Sequence, residues 1–328
     1  MLKTVFYAAV LSLSVAGQAS ANPELLIENF IGRISIKTTS GSQISLKDEA
    51  NMKGVQIYED ANNFKIDGGI AKPNGRDCKG FHGSFSINLF NSEKHGRIGG
   101  YKNLRDYPKI TINAPEDTTL VIRNSIPFLI ADDLSGADIN LNSCGKVTLG
   151  DLSHDLSANI SGSADLYLGD VGGNADIKVR GSGDIDMGDA NELRLKVSGS
   201  GNLDADNLKT ADISVRGSGD IDLEDINGPL AIDISGSSDV EIGDVLGDLV
   251  HNGRGSGDLN IDSVKGGINV DISGSGDTSI DDGETPSLKV SVSGSSDFYF
   301  GGVAQTADLY ASGSSDIYVK KSHRRGSK

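Results

Sequence analysis

A glycine–serine–aspartate phrase returns at a nearly constant step through the larger part of this chain. It reads VRGSGDIDMGD from Val179, VRGSGDIDLED from Val215, ISGSSDVEIGD from Ile234 and VSGSSDFYFGG from Val292. The first glycines of the phrase are Gly162, Gly181, Gly199, Gly217, Gly236, Gly255, Gly274, Gly294 and Gly313, spaced by 19, 18, 18, 19, 19, 19, 20 and 19 residues. Degenerate copies at Ser143 and Asn124 extend the 19-residue step backwards and make eleven units. A period near 20 marks a solenoid or a related array, in which each unit hides its apolar face only by stacking on the next.

Apolar residues alternate within each unit. Around Gly217 they are Ala211, Ile213 and Val215 before the turn, then Ile221, Leu223 and Ile226 after it. Around Gly236 they are Leu230, Ile232, Ile234, Val240, Ile242 and Val245. Period two is the signature of strands with one buried face. The expectation is therefore an all-β chain, a single-stranded parallel β-helix (β-solenoid) with two short strands per coil of about 19 residues. At about 4.8 Å per coil, eleven coils make a rod about 50 Å long. Glycine supplies backbone angles that a stacked corner needs, and Asp and Ser can satisfy backbone N–H groups within the turn.

Other segments stand apart from the ladder. Residues 1–21 combine Lys3, the apolar VFYAAVLSLSVAG and the small-residue Ala19-Ser20-Ala21, the pattern of a cleaved signal peptide. That run is short for a membrane span and no later stretch approaches one, so an exported chain without a transmembrane segment is expected, periplasmic or at the cell surface. Residues 22–115 read as irregular early coils capping the rod, with strands at IGRISIK, QISLK, GVQIY, FKID, FSINLF and KITIN. Within them, residues 72–106 form an insertion with seven basic and three acidic groups. The solenoid proper is placed at 116–319, followed by a basic tail at 320–328 in which Lys320 and Lys321 discourage edge-to-edge stacking.

Charge excludes one class of partner. Residues 116–319 carry 36 acidic against 11 basic groups, whereas 22–115 carry 10 against 13. So acidic a body repels phosphates, and nucleic acid is not an expected partner. Cys78 and Cys144 are the only cysteines. An even pair in an exported chain suggests a disulfide, although two separate thiols fit the sequence as well.

Candidate binding residues come from two places. Irregular segments carry function more often than scaffolds do, which directs attention to His82, Phe85, His95, Arg97 and Tyr101 of the insertion. The second place is the position before the turn glycine, which alternates Ser161, Arg180, Ser198, Arg216, Ser235, Arg254 and Ser273. Alternation keeps arginines two coils apart, near Asp184, Asp220 and Asp258; it reads either as charge balance on a solvated edge or as a comb for anionic sugars. The turn aspartates Asp165, Asp184, Asp220, Asp239, Asp258, Asp277, Asp297 and Asp316 should form a column broken only by Asn202. Oxygen ladders can hold calcium, but the nonapeptide repeat of calcium β-rolls is absent, so the column reads as turn capping. His251 and Gly253 fall where other coils place inward apolar residues, and a bulge that turns Val250 inward would account for them.

The sequences IENFIGRISIK and YPKITINAPEDTTLVI, followed by the ladder of GSGDI units, resemble the auto-transporter adhesin head domain, or GIN domain, family of bacterial proteins. The likeness spans roughly 25–319. It implies a right-handed parallel β-helix at the cell envelope and brings no catalytic motif. Carboxylates are so frequent that no pair stands out for glycan hydrolysis, and tryptophan platforms for sugars are missing. The expected role is a non-enzymatic, adhesin-like rod without cofactor or metal, binding a glycan or a protein. The alternative is a self-associating structural component of the envelope.

Overall fold

The computed structural model describes residues 22–60, 62–73, 97–98, 102–103 and 106–322, and over them the chain is all β, without an α-helix. The repeats stack as a parallel β-solenoid of about eleven turns. The two sets of alternating residues predicted to face inward, around Gly217 and Gly236, are all buried in one continuous core that runs the length of the rod.

Each coil touches the next on three faces rather than two. In the coil around Gly217 the first face is residues 211–217 of the strand Leu208–Gly217, which starts on the preceding face, and the second is Ile221–Leu223. The third is only one or two residues wide, a column of bridges through Leu134, Leu152, Val171, Ala190, Leu208, Ile226, Val245 and Val264. Ile226 and Val245, grouped by sequence with the strand after the turn, therefore belong to a separate face. A single apolar residue between polar ones has no period of its own, so the third column escaped the alternation.

At the corner between the first two faces the glycines are packed against one another. The serine after each one donates its backbone N–H to the glycine carbonyl one coil back, as Ser182 does to Gly162 at 2.8 Å and Ser200 to Gly181 at 2.7 Å. Gly181 takes φ +139°, and a Cβ there would collide with that same Gly162 oxygen. Two requirements, a backbone angle and an absent side chain, thus converge on one position.

The near end of the rod is built out of chain order. On the first face, Glu24–Glu28 is paired in parallel with Asn63–Asp67 on one side and Thr119–Arg123 on the other. On the second face, Ile31–Thr39 lies likewise between Lys109–Pro115 and Ile126–Ala131. The first strands of the described chain are thus intercalated between coils formed by later residues. Beyond them, Ser45–Ala50 and Gln56–Glu59 pair antiparallel on Lys109–Pro115 and Asn63–Asp67 and close this end. Beside the main core, Ile31, Ile126, Phe128 and Cys144 form a small buried cluster of their own. The predicted strand FSINLF and the predicted signal peptide lie outside the described residues.

Replacing Gly181 by alanine is expected to lower unfolding free energy by about 1–3 kcal/mol, the usual cost of a forced backbone conformation. Ser182→Ala, which leaves the backbone bond in place, should stay within about 0.5 kcal/mol of the parent. Urea denaturation of the two variants checks the contrast.

Candidate functional site

Because the strands alternate, each coil aims one side chain outward from the middle of its short second-face strand. In-register pairing stacks these into a single column: Tyr167, Asp186, Asp204, Asp222, Glu241, Asn260, Ser279, Tyr299 and Tyr318. The column borders shallow open grooves whose other wall is the line of turn aspartates. One, of about 510 Å³, is lined by the carboxylates from Asp186 to Glu241. The other, of about 470 Å³, is lined by Asn260, Asp277, Asp297, Tyr299 and Tyr318 among others.

The two grooves differ in chemistry. In the first, Asp186, Asp204, Asp222 and Glu241 follow one another at successive coils, a like-charge ladder that works against pairing. Burial and then the neighbours Asp222, Asp186 and Asp206 raise the Asp204 carboxyl above the usual range. Tyr167, at the end of this row, lies under the Lys146 ammonium at 3.8 Å from its ring centroid. Its phenol is pushed up by burial first and then by Asp165, Asp184 and Asp186. In the second groove, Tyr299 and Tyr318 are 41% and 55% exposed and stack at 5.1 Å with an interplanar angle of 3°. They make a flat aromatic strip beside carboxylate, carboxamide and hydroxyl groups.

The turn aspartates do form a column, but their acceptors serve the neighbouring coil and not their own turn. Oδ1 of Asp258 accepts the backbone N–H of Asp277 at 2.8 Å, Asp277 accepts that of Asp297 at 2.8 Å, and Asp297 that of Asp316 at 2.8 Å. Asn202 keeps the chain intact, taking the N–H of Asp220 on its own Oδ1 at 3.0 Å. A second column of the same kind was not anticipated. It runs from Asp133 through Asp151, Asp170 and Asp189 to Asn207, each Oδ1 accepting the next backbone N–H at 3.0–3.1 Å. Gly150, Gly169 and Gly188 precede its members because a Cβ at each would collide with the preceding coil's carboxylate. The recurring Gly-Asp at 150–151, 169–170, 188–189 and 243–244 was the readable signal. Asp277→Asn should leave stability nearly unchanged, since the carboxamide oxygen can accept the same bond. Asp277→Ala should cost about 1 kcal/mol in thermal or chemical unfolding.

Of the residues singled out by sequence, His82, Phe85, His95, Tyr101 and Cys78 lie outside the described residues. Arg97 belongs to a two-stranded antiparallel sheet with Lys102–Asn103, of which only the backbone is described. Arg180, Arg216 and Arg254 share one exposed column of the first face with serines between them. None of the three makes an ion pair among the described residues, so the turn aspartates expected near them do not serve as partners. The arginines sit on a different face from the column of Asp186 and Tyr299. Cys144 is buried, and there is no free cysteine among the described residues.

His251 corrects an expectation. No bulge interrupts its strand: Ile232, His251 and Val270 pair in unbroken register. His251 is the inward residue at 3% exposure, and Val250 is 39% exposed. The room comes from Gly253, where a Cβ would stand 3.1 Å from the imidazole Nε2. Burial lowers the His251 pKa to about 4, with a hydrogen bond to the Ile232 backbone acting weakly the other way. The folded state thus holds a neutral ring, whereas the unfolded state binds a proton below about 6.5. This contribution to stability is complete above that value and declines as pH falls towards 4, by about 3 kcal/mol in all. His251→Leu should remove that part of the acid loss, seen as a pH-dependent difference between the two proteins in denaturant melts from pH 8 to 4.

Comparison with known proteins gives one match. The family described as "Putative auto-transporter adhesin, head GIN domain" matches residues 82–244 and 246–323, well over half of the chain. No curated protein and no solved structure matches it.

Proposed function

Since this chain belongs to the auto-transporter adhesin head GIN domain family, we propose that it is an exported, non-enzymatic rod that binds a hydroxyl-rich glycan along its second face. The observation that carries this reading is the aromatic groove. Tyr299 and Tyr318 form a flat apolar strip, and Asn260, Asp277, Ser279 and Asp297 stand beside it as hydrogen-bonding groups. Sugars present that combination in reverse, with C–H faces for the rings and hydroxyls for the polar atoms. The ladder repeats at about 4.8 Å, close to the length of one sugar residue in an extended chain, so successive coils can meet successive residues.

Two features narrow the ligand and the role. The adjoining carboxylates from Asp186 to Glu241 disfavour anionic polysaccharides and suit neutral or amino sugars. The same carboxylates stand in a single row along one open face, so no two of them lie across a cleft as acid and base on opposite sides of a sugar bond. That supports holding a glycan over cleaving it. Export is carried by the sequence pattern of residues 1–21 and the family's adhesin description. Among the described residues no helix is long and apolar enough to cross a membrane.

A glycan array tests the reading. Neutral or amino-sugar oligosaccharides should bind the parent protein, and Tyr299→Ala with Tyr318→Ala should weaken binding at least tenfold, about 1.4 kcal/mol. Deletion of residues 72–106 should leave it intact. Binding that survives the tyrosine changes and disappears with the deletion, or with alanine at Arg180, Arg216 and Arg254, would move the site to the surfaces first suspected from sequence.

A further inference from the structure

The two ends of the rod are complementary, and we propose that copies of this chain stack head to tail, the far end of one on the near end of the next. This does not depend on the glycan reading. At the far end, Ala307–Gly313 and Ile317–Ser322 each pair with one neighbour only, so each leaves an outer edge without a strand among the described residues. The core stops there without a lid. Val290 is buried one coil in, but Leu309, next in the same inward column, is 39% exposed. Ile317 and Val319 are likewise only partly buried, where Phe298 and Phe300 before them are fully so.

The near end presents the matching half. Gln56–Glu59 is the outermost strand of the first face and Ser45–Ala50 that of the second, and each also has one neighbour. Their inward residues Ile57 and Leu46 are only partly buried against the core. Tracing register from coil to coil, Ile57 heads the inward column that ends at Leu309, and Leu46 heads the one that ends at Val319. A second copy placed end on, face over face, sets Ile57 on Leu309 and Leu46 on Val319. The new strand pairs are antiparallel, because both outermost strands of the near end run against the ladder; this is the slightly stronger pairing.

Charge selects this arrangement over like-on-like pairing. The near-end strands and their flanks expose Asp48, Glu49, Glu59 and Asp60 against Lys47 and Lys53. The far end carries Lys320 and Lys321, followed by three more basic residues in the sequence up to 328. Lys320 directly follows Val319 on the face that carries Asp48 and Glu49, whereas the backbone of Lys321 is in register with Val303 of the third face. On the second face two far ends would bring lysines together and two near ends carboxylates, whereas head-to-tail contact opposes the signs; on the first face it sets Asp308 beside Glu59, so the selection rests on the second face. Lysine on an exposed edge is a guard against self-pairing. Here it guards against one partner and suits another. A heterologous contact of this kind does not close, so it builds filaments in which the second-face column continues from copy to copy.

The test follows from having two different ends. Light scattering and negative-stain microscopy of the purified protein should show mass rising with concentration without stopping at a dimer, and falling as salt is raised. Leu309→Asp spoils the far end and Ile57→Asp the near end, so each variant alone should stay monomeric. Mixed, they retain one sound end each and should form a discrete dimer. Asp48→Lys with Glu49→Lys replaces Ile57→Asp if that change unfolds the cap, and should behave the same in the mixture. A monomer at every concentration in low salt would overturn the proposal. So would a parent protein that stops at a dimer, or a mixture of variants that stays monomeric.

Discussion

Everything in this rod depends on the in-register parallel bond between one coil and the next. Each coil is too small to bury its own apolar face, and its backbone groups find partners only in its neighbours. The strict register has a consequence that a globular core lacks: whatever residue occupies a position meets its own counterparts above and below. An isoleucine becomes part of an aliphatic spine, a tyrosine part of a stack, and an aspartate part of a ladder. The sheet does not average these properties; it multiplies them.

The polar columns show how the repetition is made tolerable. An aspartate on every coil would set like charges side by side at about 4.8 Å. In the turn columns each carboxylate is given the next coil's backbone N–H, so Asp258, Asp277 and Asp297 act as links in a hydrogen-bonded chain. The outward carboxylates Asp186, Asp204, Asp222 and Glu241 have no such role, and at Asp204 burial first and the neighbouring carboxylates second raise the pKa. A column that runs against pairing and yet persists over four coils is where a surface function is best sought. The aromatic strip that continues it gives that surface something to hold.

Much of this is legible in the sequence. Ile213, Val215 and Leu223 alternate plainly, and Gly181 recurs at the step of the fold, because both patterns arise from backbone geometry that every coil shares. The turn-aspartate column was legible as a column, but its acceptors across coils were not, since a linear reading sees only the turn in which a residue sits. His251 was misread for a related reason: a polar residue at a core position suggests a slipped strand until Gly253 is seen to make room for it. The binding groove was the least legible part. Tyr299 and Tyr318 are 19 positions apart, and only stacking makes them one surface.

The solenoid, its period and its inward residues follow from the repeat alone, because an alternation with glycine corners buries its apolar side by stacking coil on coil. Tertiary structure decided the order of stacking at the near end. Any alternating strand can pair in parallel with any other, so nothing local in Glu24–Glu28 or Ile31–Thr39 says that they belong between coils made by later residues. It also decided which residues stand at the two ends of each column. A repeat is the same at every coil, but its edges exist only once the stack is complete.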